Sequence, residues 1–356
     1  MIQNSLTISV VMPTFNTPTD ILREAVESIL HQTYGDFEFI IIDDGSTNNS
    51  VDYLNSLKDK RIRLIRNPEN VGITKSLNIG LRAAQGRYIA RMDGDDVALP
   101  NRFQKQVAFM ERHPDVIVCG SACKNFGADT RLIPAPKTNI DMETYRISAL
   151  FRNPGPMHPT AFLNHALLLK HGLQYDESLP YAQDYGLWVE IGKIGRVCML
   201  KDVLLLRRVH ENQISGKLRK EQIRCDMITR EKLLRKLIGN VTAEEADRHH
   251  RFSSGYCDVP ICPEMTEWYR RLIEANDRVG IYDRKKFKGY IDNTIIKQAV
   301  IRSFTPEMPM KKRVGRFFHY LPRTLALRAS AGYIKRELTR RLRKKITTED
   351  DPWRKR

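Results

Sequence analysis

The first hundred residues switch repeatedly between two hydrophobic periods, and this limits the possible folds more than any other property of the chain. Ile8-Ser9-Val10-Val11-Met12 is a short apolar run stopped by the turn Pro13-Thr14-Phe15-Asn16-Thr17-Pro18. Ile21, Leu22, Ala25, Val26, Ile29 and Leu30 then recur on one face at helical spacing. Phe37-Glu38-Phe39-Ile40-Ile41-Ile42 is almost continuously apolar, as a strand buried on both faces of a parallel sheet must be, and it ends on Asp43-Asp44-Gly45-Ser46. A polar helix, the strand Ile62-Arg63-Leu64-Ile65, the loop 67–72, a helix from Ile73 to Gln85 and the strand-like run Gly86 to Met92 complete the series. Strand and helix alternating in this way predict a parallel sheet with right-handed crossovers.

In such sheets ligands bind beyond the carboxyl ends of the strands. Three of the expected strands end there in polar clusters: Thr14 to Asn16, Asp43 to Ser46, and Asp93-Gly94-Asp95-Asp96. Three carboxylates on one turn suit Mg²⁺ or Mn²⁺, which are held by one or two carboxylates and completed by water and substrate phosphates. An Asp-Gly pair also marks ordinary solvated turns, so it is the convergence of three strand ends that points to a nucleotide and a metal. No G-x-G-x-x-G follows the first strand and no G-x-x-x-x-G-K-[ST] occurs in the chain. Dehydrogenases and P-loop enzymes are therefore disfavoured, and a metal is left to hold the phosphates.

Ser9-Val10-Val11-Met12-Pro13-Thr14-Phe15-Asn16, Gln32-Thr33-Tyr34, Ile42-Asp43-Asp44-Gly45-Ser46, Asn70-Val71-Gly72 with Asn78-Ile79-Gly80, and Asp93-Gly94-Asp95-Asp96 stand in that order. Together they resemble the signature of family 2 glycosyltransferases of the GT-A fold, over roughly residues 5 to 215. The resemblance implies an α/β protein with a Rossmann-like, mostly parallel sheet flanked by helices. It implies inverting transfer of a hexosyl or N-acetylhexosaminyl group from a nucleoside-diphosphate donor, most often UDP-linked. By the same resemblance Asp44 accepts a hydrogen bond from the base, Phe15 lies against it, and Pro13, Thr14, Asn16 and Asn78 belong to the nucleotide site. Asp93 sits near the ribose or diphosphate and shares the Mn²⁺ or Mg²⁺ with Asp95, the main ligand. Read locally, Asp43 is a cap for the next turn, and Thr14 and Asn16 equally suit turn formers.

Two downstream stretches fit the same template. Asn153-Pro154-Gly155-Pro156-Met157-His158-Pro159-Thr160 resembles the loop under the acceptor, which makes His158 an acceptor-site candidate, although a lone histidine is more often structural. Ala182-Gln183-Asp184-Tyr185-Gly186-Leu187-Trp188 resembles the family's Glu-Asp motif with Gln183 in place of the glutamate, and Asp184 keeps the position of the general base. Asp184 also precedes an apolar helical periodicity, so a helix N-cap is the competing reading. Trp188 can serve as a sugar platform or, given its place in that periodicity, as core. Arg207-Arg208-Val209-His210-Glu211-Asn212-Gln213-Ile214-Ser215 resembles the family's closing R-x-H-x-x-Q-x-S segment, and implies that His210 approaches the metal or diphosphate.

Composition governs the rest. With 356 residues the chain predicts two domains; the resemblance implies a glycosyltransferase domain over 1–215, and 216–356 reads as a helical, basic region. The start Met1-Ile2-Gln3-Asn4-Ser5 lacks the basic n-region of a signal peptide, and no apolar run has the length of a membrane span. Six scattered cysteines suit a reducing cytoplasm. Residues 311–356 carry 16 Lys/Arg against 4 Asp/Glu, a net +12 of the chain's +17. Val314, Phe317, Phe318 and Leu321 follow helical spacing beside Lys311, Lys312, Arg313 and Arg316, the make-up of an interfacial helix. The tail therefore predicts peripheral binding to an anionic membrane on its cytoplasmic face, with a glycan or polyprenyl-diphosphate-linked acceptor; docking on the catalytic domain is the alternative. A nucleotidyltransferase making sugar nucleotides is disfavoured, because it needs a glycine-rich loop where Pro13 to Pro18 has no glycine. A nucleic-acid-binding protein accounts for the tail but leaves the aspartate clusters unexplained, so no nucleic-acid partner is expected.

Overall fold

The computed structural model describes residues 6–135, 141–210, 218–253 and 263–303. The basic tail 311–356, and residues 211–215 at the end of the segment containing His210, lie outside the described residues. The chain divides into two compact units, Met1–Leu233 and Leu234–Arg356.

The first unit opens with β1 (Ile8–Thr14), α1 (Thr19–Leu30), β2 (Phe37–Asp43), α2 (Ser50–Ser56), β3 (Ile62–Arg66), α3 (Ile73–Ala83) and β4 (Tyr88–Arg91). The alternation expected from the periodicity is thus present element by element. It continues with β5 (Val97–Ala98), α4 (Arg102–Arg112), β6 (Val116–Gly127), β7 (Leu132–Ile133) and α5 (Met142–Ala149). After a single 3-10 turn at His158–Thr160 come β8 (Phe162–Asn164), α6 (His165–Lys170), α7 (Gln183–Ile194) and β9 (Arg196–Val209). One sheet runs β3-β2-β1-β4-β8-β6-β9-β5, with β7 added on β6.

The first four strands are mutually parallel: Thr14 pairs with Asp43, and Asp43 with Arg66. That register lays the ends of β1, β2 and β3 along one edge. β8 is antiparallel to both β4 and β6, whereas β6 and β9 pair in parallel along nearly their full lengths. Phe39, Ile40, Ile41 and Ile42 are all fully buried, because helices cover both faces of the sheet. Each such side chain contributes about 1.5–3 kcal/mol relative to exposure. Alternate residues feed two cores: Val10, Met12, Phe39 and Ile41 pack with Leu22 and Phe103, while Val11, Ile40 and Ile42 pack with Leu77 and Trp188.

The helix α8 (Arg219–Ile238) runs across the division between the units, and its Cys225 packs within the first unit against Leu179, Ala182 and Tyr185. The second unit continues with α9 (Ala243–Ser253), α10 (Pro263–Val279) and α11 (Arg284–Ser303). Its interior is tied by Trp268 Nε1 donating to His249 Nδ1 at 3.1 Å and Tyr269 Oη donating to the Phe252 carbonyl at 2.7 Å. No helix among the described residues is long and apolar enough to cross a membrane.

Candidate active site

The loops after β1 and β2 are stitched to each other. Asn16 adopts φ +49°, a left-handed conformation that asparagine tolerates better than most residues. In it the Asn16 N–H donates to Ser46 Oγ at 2.8 Å, and Asn16 Oδ1 accepts from Thr47 N at 2.9 Å. Thr14 is 5% exposed, with its hydroxyl 2.9 Å from that of Thr17. Both side chains thus act as turn formers. Phe15 between them is 46% exposed, a large aromatic face left open at this edge of the sheet.

The two aspartates after β2 part company. Asp43 caps its own turn by accepting from Ser46 N at 3.0 Å, and its other oxygen is 3.3 Å from Arg66 Nε. Asp44 turns the opposite way. Its Oδ1 accepts from Asn67 Nδ2 at 2.8 Å and Val71 N at 3.0 Å, and its Oδ2 accepts from Gly72 N at 3.0 Å. A carboxylate has about four acceptor positions, and three of these now hold the loop 67–72. Gly45 completes the joint: at φ +76°, any Cβ would lie 2.6 Å from the Glu69 carbonyl carbon.

The turn after β4 lies beside Thr14, since a Cβ on Gly94 would meet Thr14 Oγ1 at 3.2 Å. Ligand atoms of Asp93, Asp95 and Asp96 all lie within 4.8 Å of one another. Asp93 is ion-paired with Arg91, whose side chain is 3% exposed. Asp95 Oδ2 lies 3.2 Å from His210 Nε2, so the last described residue after β9 reaches back to the acidic turn. Asp96 is almost fully buried; its Oδ1 accepts from Arg208 N at 2.9 Å, and its Oδ2 has no hydrogen-bond partner among the described residues. Burial, then the negative charges of Asp93 and Asp95, push the Asp96 carboxyl well above the usual carboxylate range. A buried oxygen without a donor in a cluster of like charges is the setting a divalent cation relieves. The residues present fit one.

Asp184 lies half-buried in the first turn of α7, where burial raises its pKa. Its Oδ2 accepts from Asn153 Nδ2 at 3.0 Å and its Oδ1 from Tyr185 N at 2.8 Å. The charge of Arg91 also acts on this carboxylate, favouring its charged form. The same buried guanidinium is paired with Asp93, and therefore lies electrostatically between the acidic turn and Asp184.

Residues 9–172 match the family described as Glycosyl transferase family 2. An uncharacterized glycosyltransferase of Haemophilus influenzae is 31% identical over 236 residues, which cover 62% of this chain and 71% of that protein. The chain belongs to glycosyltransferase family 2. The amylovoran biosynthesis glycosyltransferase AmsE of Erwinia amylovora is also 31% identical, over 199 residues covering 54% of this chain and 73% of AmsE. Residues 1–349 of S. aureus TarS, solved with UDP-GlcNAc, superpose with a TM-score of 0.55 at 17% identity, over 88% of this chain and 89% of that one. This chain spans only 54% of the longer TarS chain. The mannosyltransferase PcManGT of Pyrobaculum calidifontis, solved with GDP-Man and Mn²⁺, gives a TM-score of 0.51 at 16% identity, over 82% and 86% of the two chains. At these identities the likeness is one of fold, and that fold is GT-A.

Within this family 2 glycosyltransferase, several expected site residues serve the scaffold. Asn78 is fully buried: Nδ2 donates to the Tyr175 carbonyl at 3.0 Å and to Glu177 Oε1 at 3.1 Å, while Oδ1 accepts from Tyr175 N at 3.0 Å. Both its donors are occupied, so it fastens α3 to residues 175–177 and offers no donor to a nucleotide. Pro13 is a buried strand residue paired with Ile42, tolerated because the β4 register on its other side ends at Arg91. His158 is 8% exposed, 2.8 Å from Tyr175 Oη, and burial lowers its pKa well below the usual imidazole value. It is a neutral core histidine rather than an acceptor contact. Trp188, 0% exposed, belongs to the same core and presents no platform. Asp184 is not the N-cap of α7 either, because that position is Ala182.

Sequence reasoning missed the groups that hold the acidic turn. Arg91 is the clearest, and a charge inside the apolar run Tyr88-Ile89-Ala90-Arg91-Met92 was a readable signal. Arg102, fully buried at the start of α4, donates from Nη2 to the Arg91 carbonyl at 2.7 Å and steadies the end of β4. Arg208 ties β9 to the turn through its own N–H on Asp96 and its Nε on the Asp95 carbonyl at 2.9 Å.

Proposed function

We propose that this chain transfers a sugar from a nucleoside-diphosphate donor, UDP-linked in the first instance, to a hydroxyl of a glycan or lipid-linked glycan, with inversion at the anomeric carbon. The observation that carries this reading is the gathering of Asp93, Asp95 and Asp96 within 4.8 Å beside Thr14, with half-buried Asp184 linked to them electrostatically through Arg91. The fold relatives TarS, solved with UDP-GlcNAc, and PcManGT, solved with GDP-Man and Mn²⁺, support a nucleotide-sugar donor and a divalent metal. AmsE, an amylovoran biosynthesis enzyme, supports a growing glycan as acceptor.

Asp95 and Asp93 would hold the metal, with His210 beside it; Mn²⁺ or Mg²⁺ bound there supplies a Lewis acid for the departing diphosphate. Phe15 offers its exposed ring to the base. Of the two aspartates after β2, Asp44 has one acceptor position left for a base N–H and chiefly keeps the loop beneath the nucleotide rigid. Asp184 takes the proton of the acceptor hydroxyl as its oxygen bonds to the anomeric carbon, while the bond from that carbon to the diphosphate breaks on the opposite face. Such a base contributes ~10²–10⁴-fold. Arg91 favours the ionised form of Asp184 against the effect of its burial. The net +12 of residues 311–356 is the motive for placing the reaction at an anionic membrane surface.

A screen of UDP- and GDP-sugars for Mn²⁺-dependent release of the nucleoside diphosphate tests the reading. One or a few donors should be hydrolysed slowly by the wild type and not by Asp95→Ala. Hydrolysis of none, or undiminished hydrolysis by Asp95→Ala, overturns it.

A further inference from the structure

Trp188 follows Asp184 by four residues, so the two lie one turn apart on the same face of α7. One loop grips both. Asn153 Nδ2 donates to Asp184 Oδ2 at 3.0 Å, and Gly155 N donates to Asn153 Oδ1 at 3.1 Å, which fixes the end of the amide that faces the carboxylate. Gly155 itself lies so close to the Trp188 indole that a Cβ there would be 2.0 Å from Cδ1. Beyond it Pro156 is pressed on Gly120 of β6, where an added Cβ would meet Pro156 Cβ at 2.3 Å. The loop cannot slide without displacing the fully buried Trp188, yet Asn153 stands exposed at its tip. An exposed amide on so rigid a support has little to add to folding. It points a donor at one carboxylate oxygen.

We infer that residues 153–155 form a clip that fixes the Asp184 carboxylate for proton transfer, with Asn153 as a positioning residue of the reaction. The inference rests on Asp184 being the general base. Transfer needs one carboxylate oxygen aimed at the acceptor hydroxyl and a charge that survives burial. The Tyr185 N–H bond comes from within α7 and moves with the helix, whereas the Asn153 bond comes from a separate element and sets the direction of the side chain. It also favours the ionised form. Among the described residues, the other charged groups that act on Asp184 are Arg91 of β4, which favours ionisation, and Asp226 of α8, which opposes it beside Arg230 at 3.6 Å. Tyr145 and Tyr175 are held neutral by burial.

The test is an infrared pH titration of the intact protein, with the Asp184 carboxyl assigned by difference against Asp184→Asn, followed in parallel by UDP-GlcNAc hydrolysis with Mn²⁺ as a function of pH. Asn153→Ala should raise the pH at which Asp184 ionises by about one unit, the size of a hydrogen bond to a charged group. The acid limb of hydrolysis should move with it, and kcat should drop about ten-fold with the UDP dissociation constant unchanged. Asn153→Asp, which places a second carboxylate there, should raise it further. If Asp184→Asn hydrolyses the donor normally, the base assignment falls first. If Asp184→Asn is inactive but Asn153→Ala and Asn153→Asp leave the titration and the acid limb where they were, the clip alone is overturned.

Discussion

Half-buried Asp184 and fully buried Asn78 show how differently two polar side chains can be used. Asp184 carries a carboxylate that burial pushes toward the neutral form, so its native state binds a proton more tightly than the unfolded chain. Ionising it costs stability as the pH rises from the ordinary carboxylate range through its raised value, and a base working there has its acid limb above that range. Asp184→Asn should lower the rate of transfer ~10²–10⁴-fold while calorimetry finds the UDP affinity of the wild type; near-normal transfer leaves this carboxylate with a structural role only. Asn78 is the contrary case. With both N–H groups and its oxygen taken by residues 175–177, Asn78→Ala strands backbone groups of Tyr175 and should cost about 1–3 kcal/mol in urea unfolding. The folded variant should bind UDP as the wild type does. The Asn78 motif was visible in the sequence, but its direction was not, because a side-chain amide serves a ligand and a neighbouring loop equally well until the fold brings Tyr175 to it.

Among the elements, β1, β2 and β4 were legible because each is buried along nearly its whole length and reads as a largely apolar run, while the half-exposed edge strand β3 showed in its Ile62, Leu64 and Ile65. The other half of the sheet was not. β6 pairs with β9 in parallel, Cys119 beside Cys198 and Gly127 beside Val209, so the partners lie about 80 residues apart and neither carries a local mark of the other. Nor could Arg102 and Arg208 be recognised as braces of the acidic turn, since the fold alone brings them to the Arg91 carbonyl and to Asp96; Arg91, next to its partner Asp93, was the readable one. The loop joint at Asp44 was half legible: the Asp-Asp-Gly-Ser cluster stood out, while its bonds to Asn67, Val71 and Gly72 depend on α3 closing over the sheet. Gly45→Ala probes that joint. A side chain at φ +76° costs about 1–2 kcal/mol, and its Cβ would also strike the backbone at Glu69. The melting temperature should fall, and the UDP affinity with it if the joint supports the nucleotide; unchanged values for both contradict the joint.

For the whole molecule, the proposed function gives the chemistry to the GT-A unit and the location to the charge of residues 311–356. Each Lys or Arg close to an anionic leaflet is worth about 1 kcal/mol, and several together with an apolar stripe suffice for reversible binding. The intact protein should sediment with anionic liposomes at low salt and be partly released at high salt, whereas a chain ending near Pro306 should stay in solution and still hydrolyse its donor. Equal liposome binding by the shortened chain removes the tail as anchor, and loss of folding on truncation favours docking of the tail on the catalytic domain. On the proposed function, Asp95 and Asp93 of the acidic turn hold a cation that binds the diphosphate of the donor. The most direct measurement is calorimetric titration of the intact protein with UDP in Mn²⁺, in EDTA, and in Mn²⁺ after Asp95→Ala. Binding in Mn²⁺ that weakens at least about ten-fold in the other two cases is the expected result; equal affinity in all three, or no binding even with Mn²⁺, contradicts it.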